Sequence, residues 1–408
     1  MERLGLQYKM IRGATMKSQR ILIVSASIGN GHMQAASTIC EELRATTSCC
    51  VEVVDFLQVG QFRYPTLNRL QIELMNLMKS SYYGILKVAP NVYKGIYKIT
   101  ENQQTRKIID FINAANQKIM ASLITLYRPH VVICTHPFPL GAASELRYKK
   151  GMNFVLAGVI TDFAVHPWWI AAGVEHYFVA NEIMTNELQK HGISSNGITC
   201  SGIPVGRNFI PTSRLNRNEI SKLLIMGGGL GFGSMETTLR KLENLPKPVE
   251  ITVVAGKNEE LQQRVKTLAM TLRNKITVVP FSPHIAAMMK EADLLITKPG
   301  GLTCSEALAV NLPMILLNPL PGQEEENARY LHDQGGAFWL HEEVDIAVKA
   351  AEILFGKINI LKEMQNKCAE ISPQYARMQI AEKINILAGN GVRRRSSNQE
   401  YIQKAGAR

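Results

Sequence analysis

No apolar run in the 408-residue chain approaches the ~18 residues that a spanning helix needs, so a membrane span is not expected. The opening stretch MERLGLQYKM lacks the apolar core of a secretory signal. Met16 opens a second plausible start, and residues 1–15 are read as an extension without a role. No C-x-x-C occurs among the seven cysteines, Cys40, Cys49, Cys50, Cys134, Cys200, Cys304 and Cys368. Their number is odd and their spacing irregular, which speaks against a disulfide framework or a zinc site and for a reducing cytosol. No G-x-x-x-x-G-K-S/T is present, against a P-loop ATPase. Acidic residues are in deficit, 34 against 46 basic ones, for a net charge of +12. Such a balance attracts anions in general: nucleotide diphosphates, anionic lipid or nucleic acid. No nucleic-acid-binding module accompanies it.

What is present is a globular composition, 46% hydrophobic and 20% charged, on a chain long enough for two cores. Short apolar runs alternate with helical stretches. Strands are predicted at Ile21–Ala26, Val51–Val54, Val131–Cys134, Phe154–Ile160 and Tyr177–Ala180. Ala35, Ile39 and Leu43 mark a helix after the first of them. A polar, irregular stretch, residues 206–221, reads as a linker. The cycle then restarts with strands at Leu223–Met226, Ile251–Val254, Ile276–Val279, Leu294–Thr297 and Met314–Leu317. The expected architecture is α/β, with two doubly wound, Rossmann-like domains facing each other across a cleft. Their expected bounds are 17–205 and 222–372, followed by a C-terminal helix at 373–390 and a basic, disordered tail at 391–408.

Three glycine-bearing loops lie where a strand gives way to a helix: SIGNGH at 27–32, GGGLGFGS at 227–234 and TKPGGLTCSEAL at 297–308. Open α/β sheets bind ligands at that edge. Glycine lets backbone N–H groups approach an anion, and the following helix start favours negative charge. Gly31, Gly228, Gly229, Gly300, Gly301 and Thr303 are therefore candidate ligand contacts, and Lys298 is a candidate positive charge. A solvated loop lysine is the alternative for Lys298. Glu306, one turn into its helix, suits a ribose diol. Gln323, Glu324 and Asn327 in PGQEEEN supply the donors and acceptors that sugar hydroxyls need.

These segments carry a family resemblance. GNGH-x-x-A-A, T-D-x-x-x-H-P-W-W, G-G-G-x-G, and K-P-G-G-x-T-x-S-E-A-L followed by P-G-Q-E-x-E-N resemble the diacylglycerol glycosyltransferases. That family holds the plant galactolipid synthases and the bacterial processive glucosyltransferases, and is related to the peptidoglycan lipid GlcNAc transferase. The resemblance runs from about Arg20 to Leu387. It implies a GT-B fold, inverting metal-independent transfer, no cofactor, and a UDP-sugar donor held by the C-terminal domain, with Phe281 and Ser282 among the contacts. GNGH and PGQEEENARYL are similar to the glucosyl branch, so glucose is the first expectation for the donor. His32 is the expected base, since an imidazole titrates near working pH. Asp162 is the competitor. His136, His166, Trp168 and Trp169 are expected on the acceptor side, although a structural histidine at His136 and core tryptophans remain open.

The segment 57–128 carries ten Lys and Arg against Glu73, Glu101 and Asp110, a net of +7, with Tyr64, Tyr82, Tyr83, Tyr93 and Tyr97 interleaved. Basic residues among aromatics suit an anionic membrane surface. Within it, Ile108, Ile112, Ala115, Ile119 and Leu123 form a helical stripe read as core. The resemblance thus implies a diacylglycerol acceptor, peripheral attachment to the cytoplasmic face of the membrane, and no nucleic-acid partner. Alternatives left open are a polyprenyl-linked acceptor, a UDP-sugar epimerase and a UDP-sugar sensor without turnover.

Overall fold

The structure, a computed structural model, describes residues 19–27, 29, 31–59, 106–211, 220–227, 235–341, 345–357 and 359–389; of 59 and 106–115 only the backbone is described. Among these residues the chain divides into two compact units. One comprises the chain up to Thr161, Val165–Pro204 and the stretch from Tyr375 on; the other comprises Asp162–Ala164 and Val205–Gln374.

The first unit runs β1 (Arg20–Ser25), α1 (Gly31–Thr46), β2 (Cys50–Asp55), α2 (Arg106–Tyr127), β3 (Val131–Cys134), α3 (Pro137–Tyr148), β4 (Val155–Val159), β5 (His176–Val179), α4 (Glu182–Lys190) and β6 (Ile198–Cys200). Its six strands are parallel in the order β2-β1-β3-β4-β5-β6. Alternate side chains enter opposite layers, as the two-residue period of a strand requires. Leu22, Val24, Val132, Cys134 and Leu156 pack beneath α2 and α3 with Ile119, Leu123 and Leu140. Ile21, Ile23, Val131, Ile133 and Val155 pack on the other face with Ile39 and Leu43 of α1. Sheets covered on both faces read as continuous apolar runs, which is why these strands were legible. Of the predicted stripe on α2, Ile119 and Leu123 are core residues; the side chains of Ile108, Ile112 and Ala115 lie outside the described residues, as do 60–105.

The second face is completed from far along the chain. Ile380, Ala381, Ile384 and Ala388 lie on the C-terminal helix, residues 376–389, and all four are buried in that layer. Arg377 on the same helix donates to Glu42 of α1 at 3.1 Å, and both side chains are largely buried.

The second unit runs β7 (Lys222–Met226), α5 (Met235–Leu242), β8 (Glu250–Val254), α6 (Glu259–Ala269), β9 (Lys275–Val279), α7 (Ile285–Glu291), β10 (Leu294–Thr297), α8 (Gly301–Ala309), β11 (Met314–Leu316), α9 (Gln323–Asp333), β12 (Ala337–Trp339), α10 (Ile346–Phe355) and α11 (Ile360–Glu370). Its sheet is parallel, in the order β12-β11-β10-β7-β8-β9. Counted from β7 this is the dinucleotide-fold order, three-two-one-four-five-six. The strands missed from sequence, β6 and β12, have three residues each and close one edge of each sheet. The two faces of β6 are only partly covered.

Ile384→Ala removes a fully buried side chain and is expected to cost about 2–5 kcal/mol. Chemical denaturation should show this as a lowered midpoint; an unchanged midpoint would mean that the C-terminal helix is not docked in this layer.

Candidate functional site

In an open parallel sheet the strand order reverses once, and connections leave in opposite directions on either side of that point, opening a crevice at the strand C-termini. In the first unit the reversal falls between β1 and β3. The loop after β1 leads to His32 and the loop after β3 leads to His136, and their rings meet edge to face at 4.7 Å. Gly29, with φ of +79°, gives the first loop a left-handed turn that a side chain disfavours. Asp55 at the end of β2 steadies that loop by accepting from the Ser27 N–H at 3.2 Å and from the Leu57 N–H at 3.1 Å.

His32 lies in the first turn of α1 and is half-buried. Its Nδ1 is 2.9 Å from the Thr135 carbonyl and 2.6 Å from the Thr161 hydroxyl. A carbonyl can only accept, so Nδ1 carries the proton and Nε2 keeps its lone pair. Thr135 in turn donates its hydroxyl to the His32 carbonyl at 3.0 Å, locking the pair. Desolvation lowers the His32 pKa to about 4, against the opposing Thr135 hydrogen bond. Neither threonine was singled out from sequence; each adjoins a residue that was, His136 and Asp162.

His136 and His166 share a different design. Each precedes a proline at a helix start, and each ring Nδ1 accepts from the backbone N–H two residues on, Phe138 at 3.2 Å and Trp168 at 3.3 Å. Both rings therefore carry their proton on Nε2 when neutral, the opposite tautomer to His32. Burial holds His136 well below the usual histidine range, with His32 adding to the effect, and lowers His166 to about 4. Phe138, which the sequence reading passed over, extends the row. Its ring is 4.8 Å from His136 and 5.3 Å from Trp168, and Trp168 lies 5.2 Å from His166. The buried Trp168 Nε1 has no hydrogen-bond partner among the described residues. Trp169 points away into the core at 2% exposure, its carbonyl accepting from Tyr177 at 2.8 Å.

In the second unit the reversal falls between β7 and β10. The loop after β10 places Lys298, Gly300 and Gly301 there, with Gly301, Leu302 and Thr303 opening α8. The first N–H groups of a helix have no partner within it and favour anions. Lys298 is not a solvated lysine: its Nζ is 2.6 Å from Glu324 Oε1, at 21% and 12% side-chain exposure. The other Glu324 oxygen accepts from the Leu320 N–H at 2.9 Å. Glu306 is half-buried, and desolvation raises its pKa to about 8.

Gly322, with φ of +85°, turns the chain into α9, and its N–H donates to Glu325 at 3.1 Å. Gln323 and Asn327 on that helix both donate side-chain amides to Asp162. Burial pushes Asp162 up to about 6, opposed by those two hydrogen bonds. Asn327 is fully buried. Phe281 is exposed, with Lys257 Nζ 5.3 Å from its ring centroid, and Ser282 accepts from the His284 N–H at 3.1 Å. Gly31 begins α1; Gly228 and Gly229 lie outside the described residues. Among the described residues no three His, Cys, Asp or Glu side chains gather as a metal-ligand set, and no helix is long and apolar enough to cross a membrane.

Comparison with known proteins covers both units. Residues 32–205 match the monogalactosyldiacylglycerol (MGDG) synthase family, and residues 222–384 match the glycosyltransferase family 28 C-terminal domain. A processive diacylglycerol beta-glucosyltransferase of Bacillus mycoides is 30% identical, over 85% of this chain and 88% of its own. One from Bacillus pumilus is 29% identical, over 91% and 97%. Among solved structures, MurG of Acinetobacter baumannii superimposes with a TM-score of 0.61 at 16% identity, over 90% of this chain and 99% of that one. UDP-GlcNAc 2-epimerase of Neisseria meningitidis, solved with UDP-GlcNAc, gives 0.55 at 14%, over 90% and 99%. At such identity these two structures speak to fold alone: two Rossmann-like α/β units with parallel sheets, the GT-B fold.

The tautomers are measurable. Nitrogen NMR of labelled histidines at pH 7 should find His32 neutral with its proton on Nδ1, and His136 and His166 neutral with theirs on Nε2. His32 should titrate near pH 4. Because its folded pKa lies below 6.5, the stability tied to its neutral ring is lost as pH falls through that window. A His32 midpoint near 6.5, or its proton on Nε2, would overturn this description.

Proposed function

We propose that this chain, which belongs to the diacylglycerol glycosyltransferase family, transfers a hexose, glucose first, from a UDP-sugar to the hydroxyl of diacylglycerol. The observation that carries the reading is His32: Nδ1 held by a carbonyl, Nε2 left with its lone pair, at the crevice end of a parallel sheet. The acceptor hydroxyl attacks the anomeric carbon as its proton passes to His32 Nε2. The new carbon–oxygen bond forms, the bond from that carbon to the diphosphate breaks, and its electron pair leaves on UDP. Lowered to about 4, His32 is already in its proton-accepting form at neutral pH. It is also a weak base, so proton transfer accompanies bond formation rather than preceding it. Asp162 is the less suited base, since both of its oxygens already accept from amides.

The second unit is assigned the donor. Backbone N–H groups at the start of α8 meet the diphosphate, which needs no divalent ion in this reading. Lys298 is neutralised by Glu324 and contributes less charge to the diphosphate than an isolated lysine. Glu306 takes the ribose, Phe281 and Ser282 the base end, and Gln323 and Glu324 the hexose, with Asn327 as the brace behind them. The curated relatives are named beta-glucosyltransferases. A beta product from alpha-linked UDP-glucose requires inversion, the outcome of a single displacement. The family matched by residues 32–205 is named for a galactolipid, so galactose is the competing donor. His136, His166, Phe138 and Trp168 are assigned to the acceptor side. The net +7 segment 57–128 is assigned to anionic lipid at the cytoplasmic membrane face, where each basic residue near the surface is worth ~1 kcal/mol.

The test is lipid product analysis by mass spectrometry, with anionic vesicles containing diacylglycerol and UDP-glucose, UDP-galactose or UDP-GlcNAc in separate reactions. A hexosyl-diacylglycerol is expected with UDP-glucose, in the presence of a chelator as well, and His32→Ala should lower its rate by about 10²–10⁴-fold. UDP binding without product from any donor would sink the reading and point to a polyprenyl-linked acceptor or a sensor.

A further inference from the structure

Asp162 is almost fully buried, at 6% exposure, and sits in a network whose polarity is fixed at one end. The backbone N–H of Phe163 donates to Asn327 Oδ1 at 2.8 Å. That bond defines which end of the Asn327 amide is oxygen, because an N–H can only donate. The Asn327 NH₂ end then donates to Asp162 Oδ1 and to the Pro299 carbonyl, each at 3.1 Å. The Phe163 ring stacks on Tyr330 at 5.2 Å, holding the segment against α9. The second Asp162 oxygen accepts from Gln323 Nε2. Gln323, unlike Asn327, is only half-buried. An ionised carboxylate has no proton to give, so Gln323 must turn its NH₂ inward and its oxygen outward.

We propose that Asp162 is a positioning residue that locks the Gln323 amide with its oxygen outward, so that Gln323 is a hydrogen-bond acceptor for one hydroxyl of the donor hexose. This rests on the assignment of Gln323 to the hexose. Recognition then requires a hydroxyl that donates. A fluorine at the same carbon accepts weakly and donates nothing, so it loses the contact.

The fixed polarity dictates the outcome of Asp162→Asn. Asn327 cannot reverse, because the Phe163 N–H fixes it, so the amide introduced at position 162 turns its oxygen to Asn327 and its NH₂ to Gln323. Gln323 must answer with its own oxygen inward, which leaves NH₂ facing the sugar. The outward group changes from acceptor to donor with little change in shape. Adding Gln323→Glu to this variant restores an outward acceptor. The carboxylate introduced at position 323 accepts from the new amide at position 162 with one oxygen and from the hexose with the other.

The experiment is calorimetric titration of the full-length protein with UDP, UDP-glucose, UDP-galactose and UDP-glucoses carrying fluorine in place of each hexose hydroxyl in turn. In the wild type one fluorinated position should bind about 2–12-fold more weakly than UDP-glucose, the range of a single neutral hydrogen bond. In Asp162→Asn, affinity for UDP should hold, affinity for UDP-glucose should fall by a similar factor, and the penalty at that fluorinated position should vanish. The double variant should regain the loss. Unchanged UDP-glucose affinity in Asp162→Asn, with turnover abolished, would make Asp162 the base and overturn the proposal. Equal losses for UDP and UDP-glucose would reduce Asp162 to a fold contact and overturn it too. A wild type that binds UDP but no UDP-hexose would overturn the donor assignment along with it. A wild type that binds UDP-glucose without any fluorine penalty overturns the positioning role alone.

Discussion

Parallel strands all send their connections out at the same edge, and the one place where those connections diverge is set by strand order rather than by any residue. In the first unit that place is the β1–β3 boundary and in the second the β7–β10 boundary. The constraint draws His32 and His136, 104 positions apart in the sequence, into ring contact. By the same constraint Lys298 and the α8 N-terminus stand beside the end of β7, where the Thr297 hydroxyl donates to the Met226 carbonyl at 2.9 Å. The remaining features of both sites are ways of holding particular atoms in position at that edge.

The holding is done mostly by hydrogen bonds whose direction is forced. The Thr135 carbonyl leaves His32 a lone pair on Nε2, whereas the N–H groups of Phe138 and Trp168 leave His136 and His166 an Nε2 proton. Histidines in one cluster thus play opposite parts, acceptor and donors, without any of them being charged at neutral pH. In the second unit the Phe163 N–H plays the same defining role for Asn327, Asp162 and Gln323. Buried polar chains of this kind are costly when one member is left unpaired, which ties the positions of their members together.

Carboxyls in the second unit follow their surroundings. Glu306, raised to about 8 by desolvation, keeps its proton at neutral pH, while Asp162, raised only to about 6 because amides stabilise its charge, does not. Glu324, on the same helix as Gln323, is paired with Lys298. Glu306 on α8 and Asp162 beside α9 therefore differ in hydrogen-bonding character, the first able to donate and the second only to accept.

Ten of the twelve strands among the described residues were legible in the sequence because burial on both sheet faces makes a strand a short, continuous apolar run. The two that were missed, β6 and β12, are three-residue edge strands with too few side chains to establish a pattern. The turn at Gly29 before α1, the helix start at Gly301 and the turn at Gly322 in PGQEEEN fall at glycines that the sequence displays, because left-handed turns and helix starts restrict residue type locally, whereas residues 228–234 lie outside the described residues. What the tertiary structure alone decided was partnership and polarity. No local pattern reveals that Thr161 would reach His32 across 129 positions, that Trp169 would face the core while Trp168 joins an aromatic row, or that Asn327 would be braced by a backbone N–H 164 positions away. Periodicity and turn chemistry are properties of neighbouring residues, and a sequence displays them directly. The direction of a hydrogen bond depends on which atom arrives at the other end, and only the folded chain brings that atom there.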